Sequence, residues 1–177
     1  MAEASGSRQV VIIGGGFAGL FAARMLGRAP VQVTLIDRAE HHLFQPLLYQ
    51  CATGILSEGK IAAPLRQLLA KHRNIEFVIA EVTGLDAEQR RLTARRPLGD
   101  QIEFGYDYLI LAAGVRQSYF GHDEYAPIAP GMKTIEDALK IRRPGSGSHS
   151  RTRSAHPAGA APAPAARPHL SRSPRPG

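Results

Sequence analysis

The sequence is short of residues that carry chemistry by themselves. Among its 177 residues there is one cysteine, Cys51. A lone thiol excludes an intrachain disulfide and a C-x-x-C redox pair, and it reads as a small buried side chain. Any redox work therefore falls to a bound cofactor. No apolar run reaches the roughly 18 residues that a membrane-spanning helix needs. Met1–Arg8 is polar where a signal peptide would be apolar, so the cytoplasm is the expected compartment. Acidic residues are missing from Gly145 onward, and Arg151, Arg153, Arg167, Arg172 and Arg175 there supply five of the seven net positive charges. The basic character thus belongs to a tail, and the remaining body is close to neutral. That tail has no aromatic residue on which a base could stack, so no nucleic-acid partner is expected. It also lacks Val, Ile and Lys, and Leu170 is its only large aliphatic side chain. Such a segment cannot bury enough surface to offset about 1–2 kcal/mol of backbone entropy per residue, and residues 144–177 are expected to be disordered.

What the sequence does have is a strong amino-terminal signal. The run Val10-Val11-Ile12-Ile13 leads into Gly14-Gly15-Gly16-Phe17-Ala18-Gly19. Gly14, Gly16 and Gly19 fit G-x-G-x-x-G, the spacing of a dinucleotide site: one glycine for the turn, one for close approach to a pyrophosphate, one for helix–strand packing. A helical pattern (Leu20, Phe21, Ala23, Met25, Leu26) follows and ends near Gly27 and Pro30. A second apolar strand, Val31–Ile36, then ends on Asp37, at the distance where a carboxylate accepts hydrogen bonds from ribose hydroxyls. Asp37 would repel a 2′-phosphate, which disfavours NADP.

Further along, His41 and His42 have no acid or thiol at a metal-like spacing and are expected as a hydrogen-bonded loop pair. Leu47, Leu48 and Cys51 suit a short buried helix broken at Gly54. A helix is expected from near Ile61 to Lys71, with Pro64 in its first turn. Asn74 opens a turn into the strand Ile75–Ala80. Three short segments, Glu81–Asp86, Arg91–Ala94 and Gln101–Phe104, read as an antiparallel meander. Tyr108–Gly114 is continuously apolar and is expected as a parallel strand covered on both faces. Asp123 and Glu124 read as solvated loop carboxylates. Thr134, with Asp137 three residues on, resembles a capping box at the start of a helix that ends near Arg142-Arg143. Its buried stripe would be Ile135, Ala138 and Leu139. The expected organisation is a flexible amino terminus (1–8), a partial dinucleotide-binding domain (9–120), a connector with a helix (121–143) and the tail (144–177).

This order, together with Asp37–Thr53 (DRAEHHLFQPLLYQCAT), Gly54–Arg66 (GILSEGKIAAPLR) and Tyr106–Lys133 (YDYLILAAGVRQSYFGHDEYAPIAPGMK), resembles the FAD-binding half of type II NADH dehydrogenases of the actinobacterial kind. The resemblance covers about Val10 to Arg143. It implies an α/β fold: a Rossmann-like FAD-binding domain of parallel sheet and three-stranded antiparallel meander, here incomplete. It implies that Gly14, Gly15, Gly16, Phe17, Ala18 and Gly19 wrap the FAD pyrophosphate and that Asp37 holds the adenosine ribose, with Arg38 beside it. Val82 would meet the adenine through its backbone. Gln45, Pro46 and Leu47 would lie near the flavin ring, and Ala113 and Gly114 near the phosphates and ribityl chain. In that family NADH reduces the flavin and quinone takes the electrons, so no catalytic side chain is expected. Peripheral attachment to the inner membrane and a homodimer are implied as well. The family's second glycine-rich unit for NADH, its closing strand and its membrane-docking segment have no counterpart in this text. A frameshift near Arg142–Gly145 of a GC-rich gene would produce such a tail; a native Ala/Pro linker is the alternative. The corresponding functional alternative is a catalytically inactive FAD-binding fragment.

Overall fold

The computed structural model describes residues 7–115 and 117–142. The tail and most of the expected flexible amino terminus lie outside these residues. At the centre is a parallel sheet built from β1 (Arg8–Ile13), β2 (Val31–Asp37), β5 (Ile75–Ile79) and β9 (Tyr108–Leu111), in the order β5-β2-β1-β9. Successive side chains of β1 point to opposite faces. Val10 and Ile12 enter one core with Leu20, Ala23, Val33, Leu35, Leu65 and Leu69. Val11 enters a second with Ile36, Val78, Ala80, Leu92 and Ala94. Burial on both faces is why β1 is apolar without a break from Val10 to Ile13; in β2, Gln32 and Thr34 interrupt the run, and Val33, Leu35 and Ile36 are the buried positions.

The first face is covered by α1 (Phe17–Leu26) and α3 (Leu65–Leu69). Leu20 and Ala23 point inward from α1, whereas Phe21 and Met25, also part of the apolar pattern, are exposed. The second face is covered by a meander of β6 (Glu81–Asp86), β7 (Arg91–Arg95) and β8 (Gln101–Gly105), paired antiparallel. Asn74, ahead of β5, donates its side-chain N–H groups to the carbonyls of Leu26, Ala29 and Val31 at 3.1, 3.3 and 2.9 Å. One side chain thereby satisfies the turn that follows α1.

Three expectations are corrected. Residues 62–64 are not helical: β4 (Ala62–Pro64) pairs antiparallel with β3 (His41–Leu43), and α3 starts only at Leu65. Pro64 ends an edge strand, where its missing N–H is tolerated. The histidine pair consequently lies on a strand rather than in a loop, with His42 buried and His41 half-buried. The strand expected over Tyr108–Gly114 ends at Leu111, and Gly114 beyond it adopts φ +74°. Among the described residues β9 is an edge strand. Ile110 and Leu109 pack toward the two cores, but Tyr108 and Leu111 are exposed.

A third small core joins α2 (Leu48–Ala52) to α4 (Ile135–Arg142). Leu48, Cys51, Ile61 and Ala138 are all buried there. Cys51 is therefore the inert packed thiol that its isolation in the sequence suggested.

Candidate dinucleotide-binding site

β1 lies between β2, reached by a crossover on one side, and β9 on the other. Such a reversal leaves a crevice at the carboxyl ends of the strands. The glycine loop occupies it. Gly14 N–H donates to Ile36 O at 2.8 Å, and Ala112 N–H donates to Ile13 O at 2.8 Å, so the loop starts tied to both neighbouring strands.

Two glycines are required by the chain itself. Gly14 has φ +104°, and a Cβ there would strike the Ala112 carbonyl. A Cβ on Gly19 would strike the Gly14 carbonyl, so α1 can pack on β1 only without a side chain at this point. Gly16 is different. Its φ of −67° and ψ of −166° suit any residue, and a Cβ there would meet no protein atom within 4 Å. No protein atom excludes a side chain at position 16, and Gly16 lines the groove.

Gly16 also caps α1, and this helix has no side-chain cap and no acid in its first turn. Its first-turn N–H groups lack intrahelical partners, and no side chain of its own first turn offsets the positive end of its dipole. The contrast is with α4, at the wall of the same groove. There Asp137 Oδ2 accepts from the N–H of Lys133 at 3.1 Å and of Thr134 at 3.0 Å, while Asp137 N–H donates to Thr134 Oγ1 at 3.2 Å. This is the reciprocal capping box expected from the sequence. Burial works to raise the Asp137 pKa. The N–H groups of Lys133 and Thr134, the Thr134 hydroxyl and the Lys140 charge outweigh it and hold the carboxyl below the ordinary 3.8. One helix start is thus self-satisfied and the other is left open to an anion.

The groove has a cavity of about 660 Å³ whose lining includes Gly14, Gly15, Gly16, Phe17, Ala18, Gln45 and Lys133–Glu136. A neighbouring cavity of about 340 Å³ is lined by Ile36, Ala80, Glu81 and Val82. Asp37, Arg38, Ala113 and Gly114 line both. The sequence-derived residues are therefore brought together, with three exceptions. Gly19 lies buried beneath the loop. Pro46 and Leu47 sit beside Gln45 in a 3-10 turn but do not line the groove, and Leu47 packs into the α2–α4 core. Asp37 accepts from Gly15 N–H through Oδ2 and from Ala39 N–H through Oδ1, at 2.7 Å for the latter. Val82, in the wall of the smaller cavity, lies at a register shift between Val82 and Gly84 in the β6–β7 pair.

Sequence reasoning missed Lys133–Glu136 and His42. The capping box located the start of α4, but only packing on α2 brings that start to the groove. His42 is expected from the sequence only as one of a hydrogen-bonded loop pair, and nothing in the sequence points to its partner in the glycine loop.

An open groove of this size beside an uncapped helix start has room for a dinucleotide. Residues 8–151 match the model of the pyridine nucleotide-disulphide oxidoreductase family. The chain is 54% identical over 134 residues to the type II NADH:quinone oxidoreductase Ndh of Mycobacterium tuberculosis, covering 76% of this chain and 29% of that protein. It is 53% identical over 138 residues to NdhA of the same organism, covering 77% and 29%. The solved NDH2 of Plasmodium falciparum in complex with NADH superposes with a TM-score of 0.68 at 27% identity, covering 77% of this chain and 28% of that one. The sulfide:quinone oxidoreductase of Aquifex aeolicus gives 0.65 at 29% identity, covering 77% and 31%. The chain spans under a third of the length of each of these relatives.

Proposed function

The chain belongs to the pyridine nucleotide-disulphide oxidoreductase family, and from that premise we propose that its groove binds FAD in the service of NADH-to-quinone electron transfer. The observation that carries this reading is the open side of Gly16 at an uncapped helix start. A diphosphate bridge seated there accepts the free N–H groups of the first turn of α1 and meets the positive end of its dipole. The dipole contributes about 0.3–1 kcal/mol when exposed and up to about 2 when partly buried. Asp37 accepts hydrogen bonds from the adenosine ribose with the lone pairs that Gly15 and Ala39 leave unused. Val82 borders the adenine, and Ala113 and Gly114 flank the phosphates and ribityl chain. Gln45 faces the flavin end, with Pro46 and Leu47 supporting its turn. When bound, the flavin supplies two-electron redox chemistry between nicotinamide and quinone. The side chains here bind and orient it, and none is assigned a covalent or proton-transfer role.

NADH and quinone are named by the relatives, and both belong to this proposal rather than to the described residues. So do a homodimer and peripheral attachment to a membrane. No helix among the described residues is long and apolar enough to cross a membrane. The test is spectroscopic. Purified protein incubated with FAD and desalted should stay yellow, and Gly16→Val should come off colourless. Bleaching of the yellow protein by NADH adds the reductase half of the proposal, and yellow protein that NADH leaves unbleached confines the activity to cofactor binding. A parent chain that elutes colourless overturns the reading.

A further inference from the structure

His42 is the single buried polar side chain among the described residues, at 8% exposure. Its Nδ1 lies 3.0 Å from the carbonyl oxygen of Gly15. A carbonyl only accepts, so Nδ1 must carry the proton and donate. The N–H of the same residue, Gly15, donates to Asp37 Oδ2. Asp37 ends β2 and His42 sits on β3, so the short turn between those strands holds the Gly15 residue by its N–H and its carbonyl. Phe17, one residue beyond Gly16, packs edge-on against the His42 ring with centroids 4.9 Å apart.

We propose that His42 is a positioning residue for the glycine loop. With Asp37 it fixes the backbone of Gly15 from both sides and so sets the direction in which the Gly16–Ala18 N–H groups face the groove. A hydrophobic side chain would fill the space beneath the loop equally well, but it would leave the Gly15 carbonyl buried without a donor. The second consequence is coupling. Asp37 serves both the loop and, on the proposed reading, the ribose, so a loop loosened at Gly15 also disturbs the adenosine end. This part of the inference rests on the FAD reading; the clamp on Gly15 does not.

Two variants separate the possibilities. His42→Phe keeps a ring against Phe17 and removes the donor. His42→Asn places a side-chain N–H near the position of Nδ1 and restores it. Amide hydrogen exchange on the 177-residue chain reads the clamp without any cofactor. Gly15 N–H should exchange at least about tenfold faster in His42→Phe, equivalent to about 1.4 kcal/mol, and return to near the parent rate in His42→Asn. Core amides of Val11 and Leu35 should not respond. Long-range nitrogen–proton correlation should find His42 as the Nδ1–H tautomer. For FAD, the dissociation constant should rise about tenfold in His42→Phe, again about 1.4 kcal/mol, and recover in His42→Asn. Unchanged Gly15 exchange in His42→Phe overturns the clamp, whatever FAD does. A loosened Gly15 with an unchanged FAD constant overturns its bearing on the cofactor. A parent chain that binds no FAD but whose Gly15 still loosens in His42→Phe supports the clamp and overturns the functional reading instead.

Discussion

Gly16 and Gly19 are glycines of one motif for opposite reasons. At Gly19 the protein itself leaves no room, since a Cβ would collide with the Gly14 carbonyl. Gly19→Ala should therefore destabilise the fold by about 1–3 kcal/mol, the usual range for overpacking, and lower the thermal midpoint with or without FAD. At Gly16 the space is open, so Gly16→Val should cost the flavin-free protein no more than the loss of a favoured cap residue, about 1 kcal/mol. Its main effect should appear as lost flavin uptake. Calorimetry of both variants, with and without FAD, checks the pair. Asp37 combines the two roles. Asp37→Ala would leave the N–H groups of Gly15 and Ala39 without their acceptor. A cost of about 1–3 kcal/mol in flavin-free stability is expected, accompanied by weaker FAD binding.

At the scale of elements, α1 and α4 present their amino termini to one groove, one open and one capped. The cap of α4 makes its anchoring depend on pH. The Asp137 carboxyl titrates below its ordinary value in the folded protein. Its stabilisation is therefore present in full above pH 3.8 and is lost as the pH falls through the folded value. Exchange protection of α4 amides should decline in acid below that point. Asp137→Asn should be less protected at neutral pH and show no such decline. Equal acid sensitivity in parent and variant would mean that another group governs the helix. The corrected stretch Ala62–Pro64 belongs to this scale too. Its residues carry helix-compatible propensities, but pairing with His41–Leu43 supplies backbone hydrogen bonds that a helix beginning at Ile61 could not.

For the whole molecule, the outer edge of β9 decides how the chain behaves in solution. Tyr108 and Leu111 are 58% and 67% exposed, and no strand among the described residues pairs with that edge. An open apolar edge invites strand addition. The 177-residue chain should self-associate with rising concentration in sedimentation velocity, and Leu111→Lys should shift it toward monomer. A parent that stays monomeric throughout would show that the edge is protected.

Much of this architecture was legible in the residues because it is local. Apolar runs identified the strands, G-x-G-x-x-G identified the loop, Asp37 announced itself at the end of β2, and Thr134 with Asp137 announced the start of α4. What was not legible depends on contacts across the chain. His42 reaches Gly15 from 27 positions away, and Lys133–Glu136 line the groove at the start of a helix whose Ala138 is buried in one core with Leu48 and Cys51 of α2. The sequence alone determined the strands of the central sheet and meander, the glycine loop and the cap of α4, since backbone conformation and burial period act over a few neighbouring residues. Tertiary structure decided which glycine faces empty space, which helix start stays uncapped and which side chains hold the loop in place, since each of these depends on what a distant segment brings within a few ångströms.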